Sequence, residues 1–554
     1  MSLAPSIPAT SDVAHPRGQW SSRPVLSAAE VAARIPAGST VFVGGSGGGL
    51  QEPGRLLAAL EERFTTDAAP TSLTIWHCSG IGDRESTGLN HLAHEGLVKR
   101  VVGGHWGMAP KMADLAQRDV IEAYNLPQGV IAQLLRETGG KRPGLVTGVG
   151  LGTFVDPRIE GGRLNAVTTE EIVEVVKLAG QEYLFYPAPR LDVALLRATC
   201  ADELGNLSFT EEASMLEAFS AAQAVKANGG RVYAQVKYLT EAYAMHPHAV
   251  KVPGALVDGL VLAPDQPQTS RQYYQPAFTG AVRAPATSLP VLPVGPRRVV
   301  AERAAEEIKP HSVVNLGVGM PDGIAQIASE RGLTKTLAFA VEHGHLGGIP
   351  AGGVEFGAVY NPAVSMDAAY QFDYFDGGGL DIAFLGVAEV DQYGNVNSSR
   401  PKGAISGAGG FINITQGTRR VVFCGSFTAI GARFDIGDGQ LRVTTEGQVH
   451  KFVEEVSQIT FSAARARELG QEILYVTERA VFTLGEEGLE LIEIAPGIDL
   501  QADVLDRMDF TPMVRDVSVM DAKFFQHPDP APAVHHPTTP PATHPQPTHE
   551  KITH

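Results

Sequence analysis

The chain has 554 residues, 44% of them hydrophobic, and its 44 basic against 61 acidic side chains give a formal net charge of −17. This length and composition are typical of a globular protein with two large domains or several smaller ones and a sizeable core. An acidic chain without basic runs lacks the charge pattern of nucleic-acid binding, and no apolar stretch reaches the roughly 18 residues that a membrane helix needs, so neither partner is expected.

The N-terminal residues 1–24 are rich in Ser, Pro and Ala but lack the apolar segment of a secretory signal, which predicts a flexible N-terminus. Three cysteines, Cys78, Cys200 and Cys424, lie far apart and give neither a disulfide framework nor zinc-ligand spacing. Both observations favour a cytoplasmic location.

A strand pattern followed by a glycine-rich turn occurs twice, in residues 41–49 (VFVGGSGGG) and 313–320 (VVNLGVGM). Free backbone N–H groups at such a turn, together with a following helix, can hold an anion. Neither turn fits a dinucleotide fingerprint, and no GK[ST] follows to make a Walker motif. The alternative is that the glycines only let the chain turn closely against a sheet.

The chain also repeats itself. Residues 191–206 (LDVALLRATCADELGN) align with residues 380–395 (LDIAFLGVAEVDQYGN) at a constant offset of 189 residues. The same offset relates residues 231–233 to residues 420–422. Two further pairs keep the same order, residues 41–49 with 313–320 and residues 252–254 with 495–497. Several ordered matches indicate an internal duplication.

The repeats predict an α/β fold of two related halves, each with an open, mostly parallel sheet covered by helices, fused in one chain. We expect the halves at residues 25–285 and 297–525, joined by a Pro-rich linker at 286–296. The N-terminal half carries an insertion of about 84 residues ahead of residue 191. Residues 526–554 are rich in Pro, Thr and His, which predicts a disordered tail. Its six histidines could bind a metal, but a passive, solvated tail is the favoured interpretation.

The segment 337–357 (LAFAVEHGHLGGIPAGGVEFG) places Glu342 at the end of an apolar strand, followed by six glycines. Ligands of parallel sheets bind beyond the carboxyl ends of the strands, and a carboxylate there suits covalent catalysis. The alternative is a strand-capping glutamate paired with a basic neighbour. His343 and His345 have no third ligand in view, so no metal is predicted.

This segment resembles the catalytic region of family I CoA-transferases, whose nucleophilic glutamate lies in an E-x-G-x-x-G-G pattern, here residues 342–348. The resemblance extends over residues 25–520. Further matches are the CoA-side glycine turn (315–321), the second signature (391–397), the glycine loop (407–411), the glutamine segment of 3-oxoacid CoA-transferases (126–129) and the GTxxDPR stretch of single-chain acetate/propionate members (152–158). His343 is a departure, because many relatives have Ser or Asn there, and this leaves the preferred acyl chain length open.

The resemblance implies ping-pong transfer of CoA between a short-chain acyl-CoA and a carboxylic acid, through an acyl-glutamyl anhydride and a glutamyl-CoA thioester on Glu342. It implies no tightly bound cofactor, with CoA entering as the acyl-CoA substrate, and a homo-oligomer, a dimer or a tetramer. Catalytic roles are expected for Glu342, Gln128, Gly344, Gly347, Gly348 and Asn397. CoA contacts are expected from Asn315, Gly317, Gly319, Met320, Pro321, Gly352, Gly353, Gly407, Gly409 and Gly410.

Three alternatives stay open at this point. An acyl-CoA hydrolase would form the same thioester on Glu342 and resolve it with water. A sugar-phosphate isomerase shares a related α/β architecture but would lack the Glu342 motif. A non-enzymatic binding module would keep its ligand affinity when Glu342 is replaced.

Overall fold

Two mostly parallel sheets, one in each half of the chain, form the framework of the molecule. The structure, a computed structural model, describes residues 21–285 and 291–526. Most of the predicted N-terminal and C-terminal flexible segments, and the first five residues of the predicted linker, lie outside the described residues. Among the described residues, no helix is long and apolar enough to cross a membrane.

The N-terminal half alternates strands and helices. Its helices are α1 (Ala28–Ala33), α2 (Gly54–Asp67), α3 (Pro110–Gln117), α4 (Gln128–Gly139) and α5 (Ala218–Ala227). Its strands are β1 (Thr40–Val43), β2 (Leu73–His77), β3 (Val98–Gly103), β4 (Glu122–Asn125), β5 (Gly144–Thr147), β6 (Glu174–Leu178), β7 (Gln181–Pro187), β8 (Val193–Asp202), β9 (Leu207–Ser208), β10 (Arg231–Thr240), β11 (Val250–Val252) and β12 (Gly259–Leu262).

The C-terminal half has the same kind of alternation. Its helices are α6 (Pro296–Ala305), α7 (Gly323–Glu330), α8 (Ala368–Asp376), α9 (Phe411–Gly417) and α10 (Ala463–Glu468). Its strands are β13 (Val313–Leu316), β14 (Ala338–Val341), β15 (His345–Leu346), β16 (Ile349–Pro350), β17 (Val359–Tyr360), β18 (Val364–Ser365), β19 (Ile382–Gly386), β20 (Glu389–Asp391), β21 (Val396–Asn397), β22 (Arg420–Cys424), β23 (Thr428–Ala429), β24 (Arg433–Gly437), β25 (Gln440–Thr445), β26 (Val449–His450), β27 (Phe452–Val453), β28 (Glu472–Val476), β29 (Ala480–Leu484), β30 (Leu489–Ile494) and β31 (Met513–Val519).

The strand order of the two sheets confirms the predicted duplication. The N-terminal sheet runs β12-β10-β8-β1-β2 before it continues into β3 and β4, and all these neighbours are parallel. The C-terminal sheet runs β28-β22-β19-β13-β14 in the same order, again with parallel neighbours. The strands β8 and β19 begin at equivalent positions of the repeat, because Val193 and Ile382 are separated by the offset of 189 residues. The two halves are therefore related α/β units with mostly parallel sheets.

One short repeat does not correspond in the fold. Val252 ends β11 and precedes β12, whereas Ala495 follows β30, a strand beyond the shared part of the sheet. The insertion in the N-terminal half forms β3 to β7 with α3 and α4, and β5, β6 and β7 make a separate antiparallel sheet.

The two halves meet along their helices. Helix α4 packs against α8 and α9, and the amide of Gly129 donates to the side-chain oxygen of Asn413 at 3.1 Å. The residues just before the predicted linker also contact the C-terminal half. The backbone amide of Asn361 donates to the Ala277 carbonyl, and the side-chain oxygen of Asn361 accepts from the amide of Ala284. The two halves are thus held together by helix packing as well as by the chain that connects them.

Candidate active site

A cleft of about 780 Å³ lies between the halves, where the carboxyl ends of strands from both sheets face each other. Residues at the ends of five strands line this cleft: Ser46 after β1, Ser79 after β2, Gly317 after β13, Glu342 after β14 and Gly386 at the end of β19. This is the position in which open parallel sheets hold ligands, and both sheets contribute to one site.

Glu342 is the only acidic side chain of the apolar strand β14 and its turn, and it lines the cleft. Its Oε2 atom is enclosed and has no hydrogen-bond partner among residues 21–285 and 291–526. Burial raises the pKa of the Glu342 carboxyl to about 7, against a smaller lowering by hydrogen bonds from its own backbone amide and from Asn315. A carboxylate that is poorly solvated and poorly compensated is more reactive toward a carbonyl carbon than one in water.

The glycines after Glu342 shape the turn that presents it. The amide of Gly344 donates to the carbonyl of Val341 at 3.1 Å, and a Cβ atom on Gly344 would lie 2.1 Å from the Met366 oxygen. Gly347 and Gly348 have φ angles of 71° and 77°, and a Cβ atom there would lie 2.8 Å from the Ala363 Cβ and 2.4 Å from the Tyr360 oxygen. The loop therefore needs glycine to fold back on itself.

These three glycines do not line the cleft. The amides of Gly344 and Gly347 already donate to the carbonyls of Val341 and Phe339. We therefore assign the glycines to the geometry of the turn, and not to the stabilisation of an oxyanion as the sequence suggested.

Gln128, the first residue of α4, lies on the wall of the cleft that the N-terminal half forms. Its backbone amide donates to the Gly409 carbonyl at 2.9 Å, which ties α4 to the glycine loop of the other half. Its side chain is 3% exposed and lines the cleft beside His105. Burial, followed by the charge of Arg84, lowers the pKa of His105 to about 4, so that this wall presents two neutral polar groups at pH 7.

The comparisons with known proteins match this arrangement. Residues 25–263 match the family model described as Coenzyme A transferase. The caffeate CoA-transferase of Acetobacterium woodii is 47% identical over 510 residues, which cover 90% of this chain and 97% of that protein. The chain belongs to the CoA-transferase family. Because the match runs through both halves, it is a fused, single-chain enzyme of family I.

Solved structures agree with the assignment. The apoenzyme of the Escherichia coli O157:H7 acyl-CoA transferase YdiF has a TM-score of 0.88 and 43% identity, and the match covers 92% of this chain and 97% of that chain. The same protein, described as a thioester complex with CoA, matches with a TM-score of 0.87. The fold of this CoA-transferase is therefore that of the solved acyl-CoA transferase across nearly its whole length.

The structure brings most of the expected CoA-side residues of the CoA-transferase to the cleft. Those that line it are Asn315, Gly317, Gly319, Gly353, Gly407, Gly409 and Gly410. Three do not line it. Met320 and Pro321 lie in a short 3-10 helix, with Pro321 buried, and Gly352 is exposed beside the cleft.

Asn397 is not part of the cleft. Its side-chain amide is fully buried and donates to Glu389 at 2.9 Å and to Ser457 at 2.9 Å, and its oxygen accepts from the Arg400 amide. Because its hydrogen-bonding capacity is used inside the C-terminal half, we assign Asn397 to loop packing and not to catalysis.

The sequence missed several residues of the site. The cations Arg84 and Arg271 are exposed at the cleft, and His105, Met108 and Ser79 lie on its N-terminal wall. A usable signal existed for His105, which follows β3 and two glycines in the same strand-then-glycine pattern as the other turns. Within the described residues, no group of three or more His, Cys, Asp or Glu side chains is arranged to hold a metal ion.

Proposed function

We propose that this CoA-transferase moves CoA between a short-chain acyl-CoA and a carboxylic acid by a ping-pong reaction on Glu342. The observation that carries the proposal is the enclosed carboxylate itself. Glu342 Oε2 has no partner in the described structure, and the residue lies in the cleft where the two halves meet.

In the first half-reaction, a Glu342 carboxylate oxygen attacks the thioester carbonyl carbon. The carbon–sulfur bond breaks, and CoA leaves as a thiolate while an acyl-glutamyl anhydride remains. The thiolate then attacks the Glu342 carbonyl carbon, the anhydride bond breaks, and the first acid leaves as a carboxylate. The enzyme now holds a glutamyl-CoA thioester, and no proton or water has been consumed.

In the second half-reaction, an incoming carboxylate attacks the glutamyl thioester, and the same steps run in reverse. One thioester has been exchanged for another, so the reaction needs no nucleotide hydrolysis. This agrees with the absence of a Walker motif from the sequence.

Each acyl step develops negative charge on a carbonyl oxygen. We propose that the Gln128 amide, which lines the same cleft as Glu342, donates to this oxygen. Donors fixed in advance by the fold are effective because they do not have to reorganise during the step. Gln128 is fixed in this way, since its backbone is tied to Gly409 and its helix packs against α8.

The long CoA molecule needs a binding surface that reaches out of the cleft. We propose that the glycine turns at residues 317–319 and 407–410 hold it, and that Arg84 and Arg271 compensate the negative charges of the substrates. Relatives are named for acetate and for caffeate, so both acids are candidates as acceptors here. Assembly as a homo-oligomer and a cytoplasmic location remain predictions.

The proposal is tested by following propionyl-CoA with and without acetate, and in parallel with caffeate, by chromatography of the CoA species. We expect propionyl-CoA to give acetyl-CoA in the presence of acetate, with little free CoA, and Glu342→Gln to lose this exchange. Release of free CoA at the same rate without any acid would instead identify a hydrolase. Exchange that survives in Glu342→Gln would contradict the proposed nucleophile.

A further inference from the structure

A chain of hydrogen bonds crosses from the N-terminal half to the residue next to the nucleophile. The Nε2 atom of His343 lies 2.6 Å from Ser46 Oγ, and Ser46 Oγ lies 2.8 Å from Ser79 Oγ. All three residues line the cleft, yet His343 is only 2% exposed and Ser46 only 1%. A buried polar contact of this kind is strong enough to fix the relative position of the groups that it joins.

His343 belongs to the same turn as Glu342. Glu342 and His343 are the two middle residues of the turn closed by the hydrogen bond from the Gly344 amide to the Val341 carbonyl. Any rotation of the His343 backbone would therefore move the Glu342 carboxyl with it.

The His343 ring is also held on its other sides. It packs edge-on against Phe356, with ring centroids 5.7 Å apart, and Gly357 approaches so closely that a Cβ atom there would lie 3.0 Å from the ring. The ring is thus wedged between the turn after β1 in one half and residues 356–357 in the other. Its only hydrogen bond in the described structure is the one to Ser46.

We infer that His343 is a positioning residue, which docks the turn carrying Glu342 onto Ser46 of the other half and so aims the carboxylate at the thioester carbonyl. The inference rests on the proposed function, since it concerns the same nucleophile. His343 is the position at which the sequence left the preferred acyl chain length open. The inference gives its neutral ring a structural role, the contact with Ser46.

A role of His343 as an acid or base does not fit the environment. Burial, with a smaller contribution from His345, lowers the pKa of His343 to about 3, and a carboxylate nucleophile has no proton to give up. The positively charged form is therefore absent at pH 7, and the ring acts through its hydrogen bond and its shape.

The inference is tested by a double-mutant cycle on the full chain, with Ser46→Ala, His343→Phe and the double variant. The measured quantity is the single-turnover rate at which propionyl-CoA forms the glutamyl-CoA thioester, followed by rapid quench and mass analysis. We expect each single variant to slow this rate by about 10- to 100-fold, because small displacements of a reacting group are costly. KM for propionyl-CoA and the melting temperature should change little.

The double variant decides between positioning and unrelated effects. If the hydrogen bond is the cause, the double variant is no slower than the slower single variant, and His343→Gln, whose amide can still reach Ser46, recovers part of the rate. Effects that multiply in the double variant, or rates equal to wild type in both single variants, would overturn the inference.

The control is Ser365→Ala. Ser365 Oγ bonds His345 at 2.9 Å, two residues further along the same loop and outside the cleft, so its loss should leave the rate unchanged. If His343→Phe does not fold, the comparison of Ser46→Ala with Ser365→Ala still decides, because equal rates in these two would overturn the inference. Failure of the proposed function is distinguishable, since wild type itself would then form no thioester on Glu342.

Discussion

The reactivity that we propose for Glu342 depends on what surrounds its carboxyl. Its Oε2 atom is enclosed and has no hydrogen-bond partner in the part of the chain that the structure describes, and burial raises the pKa of the carboxyl to about 7. Such a carboxylate is costly to form but reactive once formed. The fold provides this by ending an apolar strand at the cleft, so that the side chain has little water and few donors.

The raised pKa predicts how the first half-reaction depends on pH. The acid form of Glu342 cannot attack the thioester, so the rate of thioester formation should rise with pH through a midpoint of about 7 and then level off. Rapid-quench rates with propionyl-CoA over about pH 5 to 9 measure this midpoint. A profile that is already flat above about pH 5.5, as for an ordinary glutamate, would show that the carboxyl is not enclosed.

Gln128 and Asn397 both carry a side-chain amide, but only Gln128 lines the cleft. Gln128→Ala should slow thioester formation by about 100- to 1000-fold, the usual loss when one oxyanion donor is removed. Asn397→Ala should lower the melting temperature, because Glu389 and Ser457 lose a buried partner, but should keep the rate per folded molecule. Rapid quench and thermal melts on both variants test this, and equal rate losses would contradict the assignment.

At this scale the sequence predicts best what lies in a local pattern. A strand followed by glycines predicts a role for Glu342, a family segment predicts one for Gln128, and both residues line the cleft. The signature predicts a catalytic role for Asn397, which the structure does not support. A signature fixes the place of a residue along the chain but not the direction of its side chain. Ser79 and His105 follow different strands, and only the parallel sheet brings them together, so the glycines before His105 do not by themselves place the two residues in one site.

At the scale of elements, the shared strand order explains why the site lies between the halves. Each half brings the carboxyl ends of its central strands to the cleft, and the inserted helix α4 adds Gln128. The duplication was readable because β8 and β19 keep their residues and spacing. The pair at residues 252–254 and 495–497 did not hold, since three-residue matches arise easily in turns and carry no information on strand order.

Helix α4 can approach the C-terminal half only because Gly129 lacks a side chain. A Cβ atom there would lie 2.4 Å from Phe372 and 2.6 Å from the Asn413 side chain. We expect Gly129→Ala to destabilise the protein by about 1–3 kcal/mol and to slow thioester formation by displacing Gln128. Chemical unfolding and rapid quench measure the two effects.

The control for this variant is Gly54→Ala, at the first residue of α2, where the added Cβ atom would meet a single side-chain atom at 3.5 Å. It should be neutral or slightly stabilising, because alanine restricts the unfolded chain more than glycine does. If both variants lose the same stability, close packing of α4 is not the reason for glycine at position 129.

At the scale of the whole molecule, the interface between the halves contains buried acids as well as apolar helices. Glu217, just before α5, faces Asp367, just before α8. Burial and the charge of Asp367 raise the pKa of Glu217 to about 8, and burial raises the pKa of Asp367 to about 6. The halves therefore meet across carboxyl groups that resist ionisation.

This pair predicts a pH-dependent stability. Between about pH 4.5 and 8 the folded protein keeps a proton on Glu217 that the unfolded chain has lost, so wild type loses stability as the pH rises through this window. Glu217→Gln removes the titration and should raise the melting temperature by about 2–4 °C at pH 8, with little gain near pH 5. Thermal melts at both pH values test it, and an equal gain at both would rule out the ionisation.

The central claim is that Glu342 becomes covalently joined to CoA, and mass spectrometry tests it most directly. The full chain is mixed with propionyl-CoA without any acceptor acid, digested, and compared with Glu342→Gln treated in the same way. We predict that the peptide containing Glu342 gains the mass of CoA less one water, that Glu342→Gln shows no gain, and that acetate discharges the adduct as acetyl-CoA. CoA exchange by wild type with no adduct on Glu342, or with the adduct on another residue, would contradict the account.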